Sequence, residues 1–377
     1  MINDLIGSFK GILFRMHGNQ KKLNSIQSLR GLAAMLVVMF HFRPDLATDV
    51  PLANWLFAQG AIGVDLFFMI SGFIVYYVTL SENNGIKSSV NFLIKRICRI
   101  VPPYIIATLF IAGNSWDKLP STLRSFSFLP DDITQAAPYF GYPRLFVGWS
   151  LNYEFVFYSI CGFALLFRKH KYTVLTLFIA SFVALPRLVN DYYGIPLSNI
   201  NYGYHGYLAL MTNGMMLEFV AGLFIGYIAI NRKLYHSKYA GWVAICLAAA
   251  YFTYITLGFG NTPGNGNCDF AAASFFLLLS TSCYEYQYGI KPPKFITSIG
   301  TISFSIYLMH PHGLSLARKL ISRHYHGSFT GVTTTLMALI FTALFSMAFY
   351  KLFEIGLSNY LRRKLLNKLH KPVIAVS

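Results

Sequence analysis

Apolar runs recur along the whole chain from residue 26 to residue 351, separated by short basic clusters. A helix needs about 20 apolar residues to cross a hydrocarbon core of about 30 Å. In lipid the backbone must satisfy its own hydrogen bonds, so runs of this kind are helices. Ten spans are predicted, at 26–44, 61–80, 100–114, 147–167, 173–190, 210–230, 239–257, 269–283, 298–317 and 330–351. The third and eighth are the shortest, as tilted or shielded helices can be. No polar stretch is long enough for a second, soluble domain. The predicted fold class is all-α: one polytopic membrane protein of about ten transmembrane helices.

Charge sets the expected orientation. Only 12% of the residues are charged, against 55% hydrophobic, yet the net charge is +17. A soluble domain would be nearer 25% charged. The basic residues sit between apolar runs, as Lys21-Lys22, Lys95-Arg96, Arg168-Lys169-His170-Lys171, Arg232-Lys233 and Arg362-Arg363-Lys364. Loops of this kind mark the cytoplasmic side. With the N-terminus inside, most Lys and Arg fall inside, so both termini are expected in the cytoplasm. Arg318, Lys319 and Arg323 are the exception, in an expected outer loop. No basic face with a stacking module accompanies the charge, so nucleic acid is not an expected partner. The expected organisation is a cytoplasmic N-terminal segment over 1–25, a transmembrane domain over 26–352 and a basic cytoplasmic tail over 353–377. The first segment reads either as an amphipathic helix on the membrane surface, with Ile2, Leu5, Ile6, Phe9, Leu13 and Met16 on one face, or as a disordered tail. No cleavable signal peptide is visible in residues 1–20.

Polar residues inside apolar spans are costly and usually functional. The stretch Ser28 to Phe42, within the first span, carries Arg30 and His41. At about 100° per residue these two lie on one helical stripe, roughly 16 Å apart along the axis. Asp65, Glu154, Glu218, His41 and His310 gather toward the outer side, while Arg30, Arg96, Arg99 and Glu354 gather toward the inner side. A His flanked by carboxylates can take a proton from a hydroxyl and return it, which is general base chemistry. For Asp65 and Glu218, helix packing or capping accounts for the residues at least as well. Arg96 and Arg99, three apart, can face one ligand, and arginine forks suit phosphate. From spacing alone, contact with anionic lipid headgroups fits them better. Pro102-Pro103 is expected to end this basic helix and start another. Ser71-Gly72 falls midway down the second span, where Gly permits close helix approach. No GxSxG elbow is present. The five cysteines include no CxxC pair and read as small core hydrophobes. His310/His312 and His324/His326 are each two apart without a nearby carboxylate, so no metal site is expected.

Taken together, these stretches resemble the integral-membrane acyltransferase 3 family, which includes O-antigen, exopolysaccharide and nodulation-factor acetylases. The resemblance rests on Leu29-Arg30-Gly31 with His41, and on Gly63-Val64-Asp65-Leu66-Phe67-Phe68 with Ser71-Gly72-Phe73. It rests also on Arg96-x-x-Arg99, on Ser150-Leu151 with Glu154 and Phe157-Tyr158, and on Ser303, Ser305-Ile306-Tyr307-Leu308 and His310. It spans nearly the whole chain and implies transfer of an acyl group, usually acetyl, across a bacterial inner membrane onto a sugar hydroxyl of a surface polysaccharide or lipopolysaccharide. It implies acetyl-CoA as donor, with its phosphates on Arg96, Arg99 and Arg30, and places Phe67, Phe68, Ser71 and Gly72 in the same donor site. His41 is then the catalytic base or a transient acyl carrier, with Arg30 beside it in the catalytic set; depth in the membrane adds Glu154 and His310 to that set, as rival partners of His41. The glycan is expected to enter from outside past Glu154 and His310. Two other readings remain at this point: a transporter or flippase for a lipid-linked sugar, and an acyltransferase with a non-glycan acceptor. The chain ends soon after the last span, so it is expected to complete transfer alone or to hand the acyl group to a partner.

Overall fold

The computed structural model describes residues 23–112, 119–191, 198–261, 264–324 and 330–370. Among them there is no strand, and the all-α membrane fold is borne out. Ten long helices fall where the ten spans were expected: α1 (Asn24–Leu46), α2 (Ile62–Thr79), α3 (Ile86–Ala112), α4 (Trp149–Ala164), α5 (Lys171–Val189), α6 (Met216–Asn231), α7 (Lys238–Thr256), α8 (Cys268–Tyr288), α9 (Ser303–His324) and α10 (Thr330–Phe349). Among the described residues, five stretches are long and apolar enough to cross a membrane on those grounds alone. The amphipathic segment expected before residue 23 lies outside the described residues, as do His326 and residues 371–377.

Three expectations are corrected. Pro102 and Pro103 do not end a helix; α3 runs through both for 27 residues. Two backbone N–H groups are missing there, and helices inside a membrane bundle tolerate this because their neighbours hold the chain in place. The ninth span is two helices, Lys294–Thr301 and then α9, which continues to His324. Arg318, Lys319 and Arg323 therefore ride on the last turns of α9. Arg318 forks onto Asp45 at the end of α1, with contacts of 3.0, 3.2 and 2.7 Å. Among the cysteines, Cys98, Cys161 and Cys283 are buried but Cys246 and Cys268 are exposed.

The side on which α1 begins is termed the inner side, following the orientation expected from the basic loops. There Glu285 of α8 accepts from the Asn24 and Ser25 backbone N–H groups at 2.7 and 2.8 Å, and from the Ser25 hydroxyl at 2.5 Å. The first turn of a helix carries unpaired N–H groups and partial positive charge, and a carboxylate satisfies both. Glu285→Ala should lower unfolding stability by about 2 kcal/mol, since charged hydrogen bonds contribute about 1.5–3 kcal/mol. Thermal unfolding in detergent checks it, and an unchanged melt would rule out this clasp. On the outer side Asp65 makes the matching clasp. It accepts from Gly266 N–H and Asn265 Nδ2 at 2.7 Å each, fixing the α7–α8 loop onto α2.

Glycines set the close approach of α2 and α6. A Cβ on Gly72 of α2 would strike the Phe219 carbonyl of α6, and one on Gly222 of α6 would strike the Met69 carbonyl of α2. Here the two helices cross backbone against backbone. After α10 the backbone widens into a π-type turn, Tyr350–Leu357, before the basic helix α11 (Ser358–His370).

Candidate active site

A partly open cavity lies among α1, α2, α3, α4 and α9. Its wall follows one face of α4, where Ser150, Glu154 and Tyr158 succeed one another at four-residue steps, about 6 Å each along the axis. Arg30 of α1 and Arg96 and Arg99 of α3 line the inner end. The Arg96 guanidinium lies 5.0 Å over the Tyr158 ring and 5.3 Å over the Phe92 ring, so it is held by aromatic faces rather than by a carboxylate. Among the described residues no carboxylate comes within 4.0 Å of any of the three guanidiniums. Glu354, carried by the π-type turn, is bound to the Ser305 hydroxyl at 2.7 Å and lies close enough to act on Arg30 and Arg99 through space. The inner end thus presents three buried or half-buried cationic forks with spare donors. That arrangement suits a phosphate-bearing ligand.

Glu154 belongs to this cavity. Its Oε1 accepts from the Ser71 hydroxyl at 2.9 Å and from the Tyr158 hydroxyl at 2.6 Å. It does not meet His41. The partner of His41 is His310, whose Nε2 lies 3.1 Å from His41 Nδ1. Between the two rivals that depth alone leaves open, the structure puts the histidine beside His41 and the glutamate about the arginines.

The histidine pair has a readable polarity. His310 is fully buried, and its Nδ1 lies 3.2 Å from the Ile306 carbonyl, which can only accept. In the neutral ring Nδ1 then carries the proton and Nε2 is bare. Nε2 therefore accepts from His41 Nδ1–H. This leaves His41 Nε2 with a free lone pair, the atom a general base needs. Phe40 and Phe146 pack edge-on against His41 at 5.1 and 4.8 Å and restrain its ring. The pair and the cavity meet at an aromatic layer. Phe67 lines the cavity 6.0 Å from the Tyr307 ring, and Tyr307 lies 6.0 Å from His310.

The remaining motif residues divide. Ser71 faces Glu154. Gly72, one residue on, faces α6 and packs. Phe68 stacks on Phe219 at 4.5 Å, which in turn stacks on Phe157 at 4.2 Å, so Phe68 both lines the cavity and anchors α2. Asp65 and Glu218 lie outside the cavity lining. Ser150, Tyr158 and Tyr307 were not singled out as site residues from the sequence. The four-residue spacing of Ser150, Glu154 and Tyr158, and the three-residue spacing of Tyr307 and His310, carried the signal. Among the described residues no group of three or more His, Cys, Asp or Glu side chains converges as a metal site.

Residues 23–351 match a family described as an acyltransferase domain. The chain is 27% identical over 282 residues to the exopolysaccharide production protein ExoZ of Rhizobium meliloti (strain 1021), covering 70% of this chain and 79% of that protein. It is 24% identical over 348 residues to BcsY of Komagataeibacter xylinus, whose name describes a membrane-bound transacylase, covering 85% and 81%. To the acyltransferase MdmB of Streptomyces mycarofaciens it is 24% identical over 322 residues, covering 77% and 78%. No solved structure matches. The apolar spans, the arginine-ended cavity, the histidine pair and the matched domain agree: this chain is an acyltransferase and belongs to the integral-membrane acyltransferase 3 family.

Proposed function

We propose that the protein transfers an acetyl group from cytoplasmic acetyl-CoA to a sugar hydroxyl of a surface polysaccharide or lipopolysaccharide, across the bacterial inner membrane. One observation carries the reading. The cavity offers Arg30, Arg96 and Arg99 at its inner end, and His41 with His310 lies beyond its outer end. A donor with several phosphates and a small acyl head fits that polarity. The phosphates pair with the guanidiniums and the thioester points outward along Ser71, Glu154 and Ser150. The acceptor hydroxyl approaches from the other side and loses its proton to His41 Nε2. Arg30 and Arg99 hold the donor, and His310 sets the tautomer of His41. Ser71 and Tyr158 fix Glu154 at the cavity wall. The exopolysaccharide role in the name of ExoZ supports a glycan acceptor.

The test is incorporation of radiolabelled acetyl from acetyl-CoA into the glycan fraction of host membranes, compared with a deletion strain. Label in the wild type and none in the deletion is expected. Equal label in both would overturn the reading. Arg99→Ala should raise the KM for acetyl-CoA about tenfold or more, since a charged hydrogen bond contributes about 1.5–3 kcal/mol, while kcat changes little. An unchanged KM would remove Arg99 from the donor site.

A further inference from the structure

We propose that the Tyr307 hydroxyl, backed by Ser150, is a catalytic hydrogen-bond donor to the oxyanion formed during acyl transfer. This rests on the transfer reaction proposed above and names a residue role within it.

Tyr307 and Ser150 are buried and both line the outer end of the cavity. Three short contacts tie them together. The Tyr307 hydroxyl lies 2.9 Å from the Val147 carbonyl, Ser150 Oγ lies 3.2 Å from the same carbonyl, and the two hydroxyls are 2.7 Å apart. Two hydroxyls supply two protons, and a carbonyl supplies none. Only two of the three contacts can be filled at once. One proton can therefore turn away while the Val147 carbonyl keeps the other as its partner. Buried donors are ordinarily committed, because an abandoned buried acceptor is costly. This pair avoids that cost.

The pair also stands where a donor is needed. The other hydroxyls lining the cavity, those of Ser71 and Tyr158, are committed to Glu154 Oε1. Tyr307 lies between Phe67 in the cavity wall and His310, with ring centroids 6.0 Å from each. An acyl carbon brought up from the arginine end meets the histidine pair there.

The step balances as follows. The acceptor oxygen bonds to the thioester carbonyl carbon as His41 Nε2 takes its proton. The carbonyl π electrons move onto oxygen, and that oxyanion accepts a hydrogen bond from Tyr307. Collapse re-forms the carbonyl and breaks the carbon–sulfur bond. The departing thiolate takes the proton from His41, giving the O-acetyl ester and free CoA. Tyr307 keeps its own proton throughout and turns back to Val147 and Ser150. Donors aimed at developing charge act on the transition state and leave ground-state binding nearly unchanged.

Tyr307→Phe keeps the ring and removes only the hydroxyl. The assay is CoA release from acetyl-CoA by the full chain in host membranes with their native glycan as acceptor. CoA binding is measured in parallel by calorimetry on purified protein. The expected result is a kcat lowered about 100-fold, with KM for acetyl-CoA and the CoA affinity each within about threefold of wild type. Ser150→Ala should lower kcat less, about tenfold, and the double variant should be no slower than Tyr307→Phe alone, because the two act as one unit. A Tyr307→Phe enzyme with kcat within about threefold of wild type overturns the proposal. So does a loss of rate matched by an equal loss of CoA binding, which would make the hydroxyl a structural tie between α9 and the turn before α4. A wild type that releases no CoA at all overturns the parent reading instead, before any variant is compared.

Discussion

His41→Ala is expected to lower acetyl transfer by about 1,000-fold while leaving the protein folded and able to bind CoA. General base catalysis contributes about 10²–10⁴-fold, and His41 Nε2 is the atom whose lone pair the hydrogen-bond chain leaves free. The chain runs from the Ile306 carbonyl through His310 to His41 Nδ1, over contacts of 3.2 and 3.1 Å. It fixes which nitrogen is basic. His310→Ala removes that restraint but not the base, so its loss should be smaller, about 10–100-fold. Labelled acetyl in membranes at matched protein levels measures both. Normal transfer by His41→Ala would remove His41 from the chemistry altogether. A His310→Ala loss equal to that of His41→Ala would make the two rings one catalytic unit. Acid quenching of wild type with labelled acetyl-CoA separates the two roles open to His41. Label recovered on the protein at His41 indicates an acyl-histidine, and label found only on the glycan indicates a base.

Depth was legible in the sequence and lateral position was not. Apolar runs and basic loops assign each residue a height in the membrane, because hydropathy and charge are read along the chain. On that basis Arg30, Arg96 and Arg99 fall at one level and His41 and His310 at another; in the structure the arginines line the cavity and the histidine pair lies beyond it. Which helix stands beside α1 depends on packing around the bundle, and no linear pattern records it. Glu154 and His310 therefore looked interchangeable as partners of His41. Helix phase was legible but unused at Ser150, Glu154 and Tyr158, whose spacing already puts three polar groups on one face. The proline pair in α3 misled for a physical reason. In water Pro102-Pro103 would break a helix, but a membrane bundle offers the chain no better hydrogen-bonded alternative. Family membership also sets aside the transporter reading, which intramembrane polar groups and ten spans alone had left standing.

Gly72→Ala is expected to fail through folding, not through donor binding. In an isolated helix the change would stabilise by about 1 kcal/mol, because Ala is the better helix former. Here the added Cβ meets the Phe219 carbonyl, a backbone atom of a packed helix that cannot swing aside as a side-chain tip can. Gly222 meets the Met69 carbonyl in the reciprocal way, so α2 and α6 must separate for either glycine to gain a side chain. Separation also loosens Phe68 from Phe219, stacked at 4.5 Å. The net cost should reach or exceed about 3 kcal/mol, the upper end for overpacking a core. Ser71→Ala provides the contrast. Ser71 is turned by one residue, about 100°, from the α6 contact toward Glu154, so its loss should leave the melt nearly unchanged and lower transfer. Thermal unfolding in detergent together with CoA binding distinguishes the two neighbours. A Gly72→Ala protein with a wild-type melt but no CoA affinity would return Gly72 to the donor site that the family resemblance implies. A low melt with little folded protein would assign it to the helix crossing that holds Ser71 at the cavity wall.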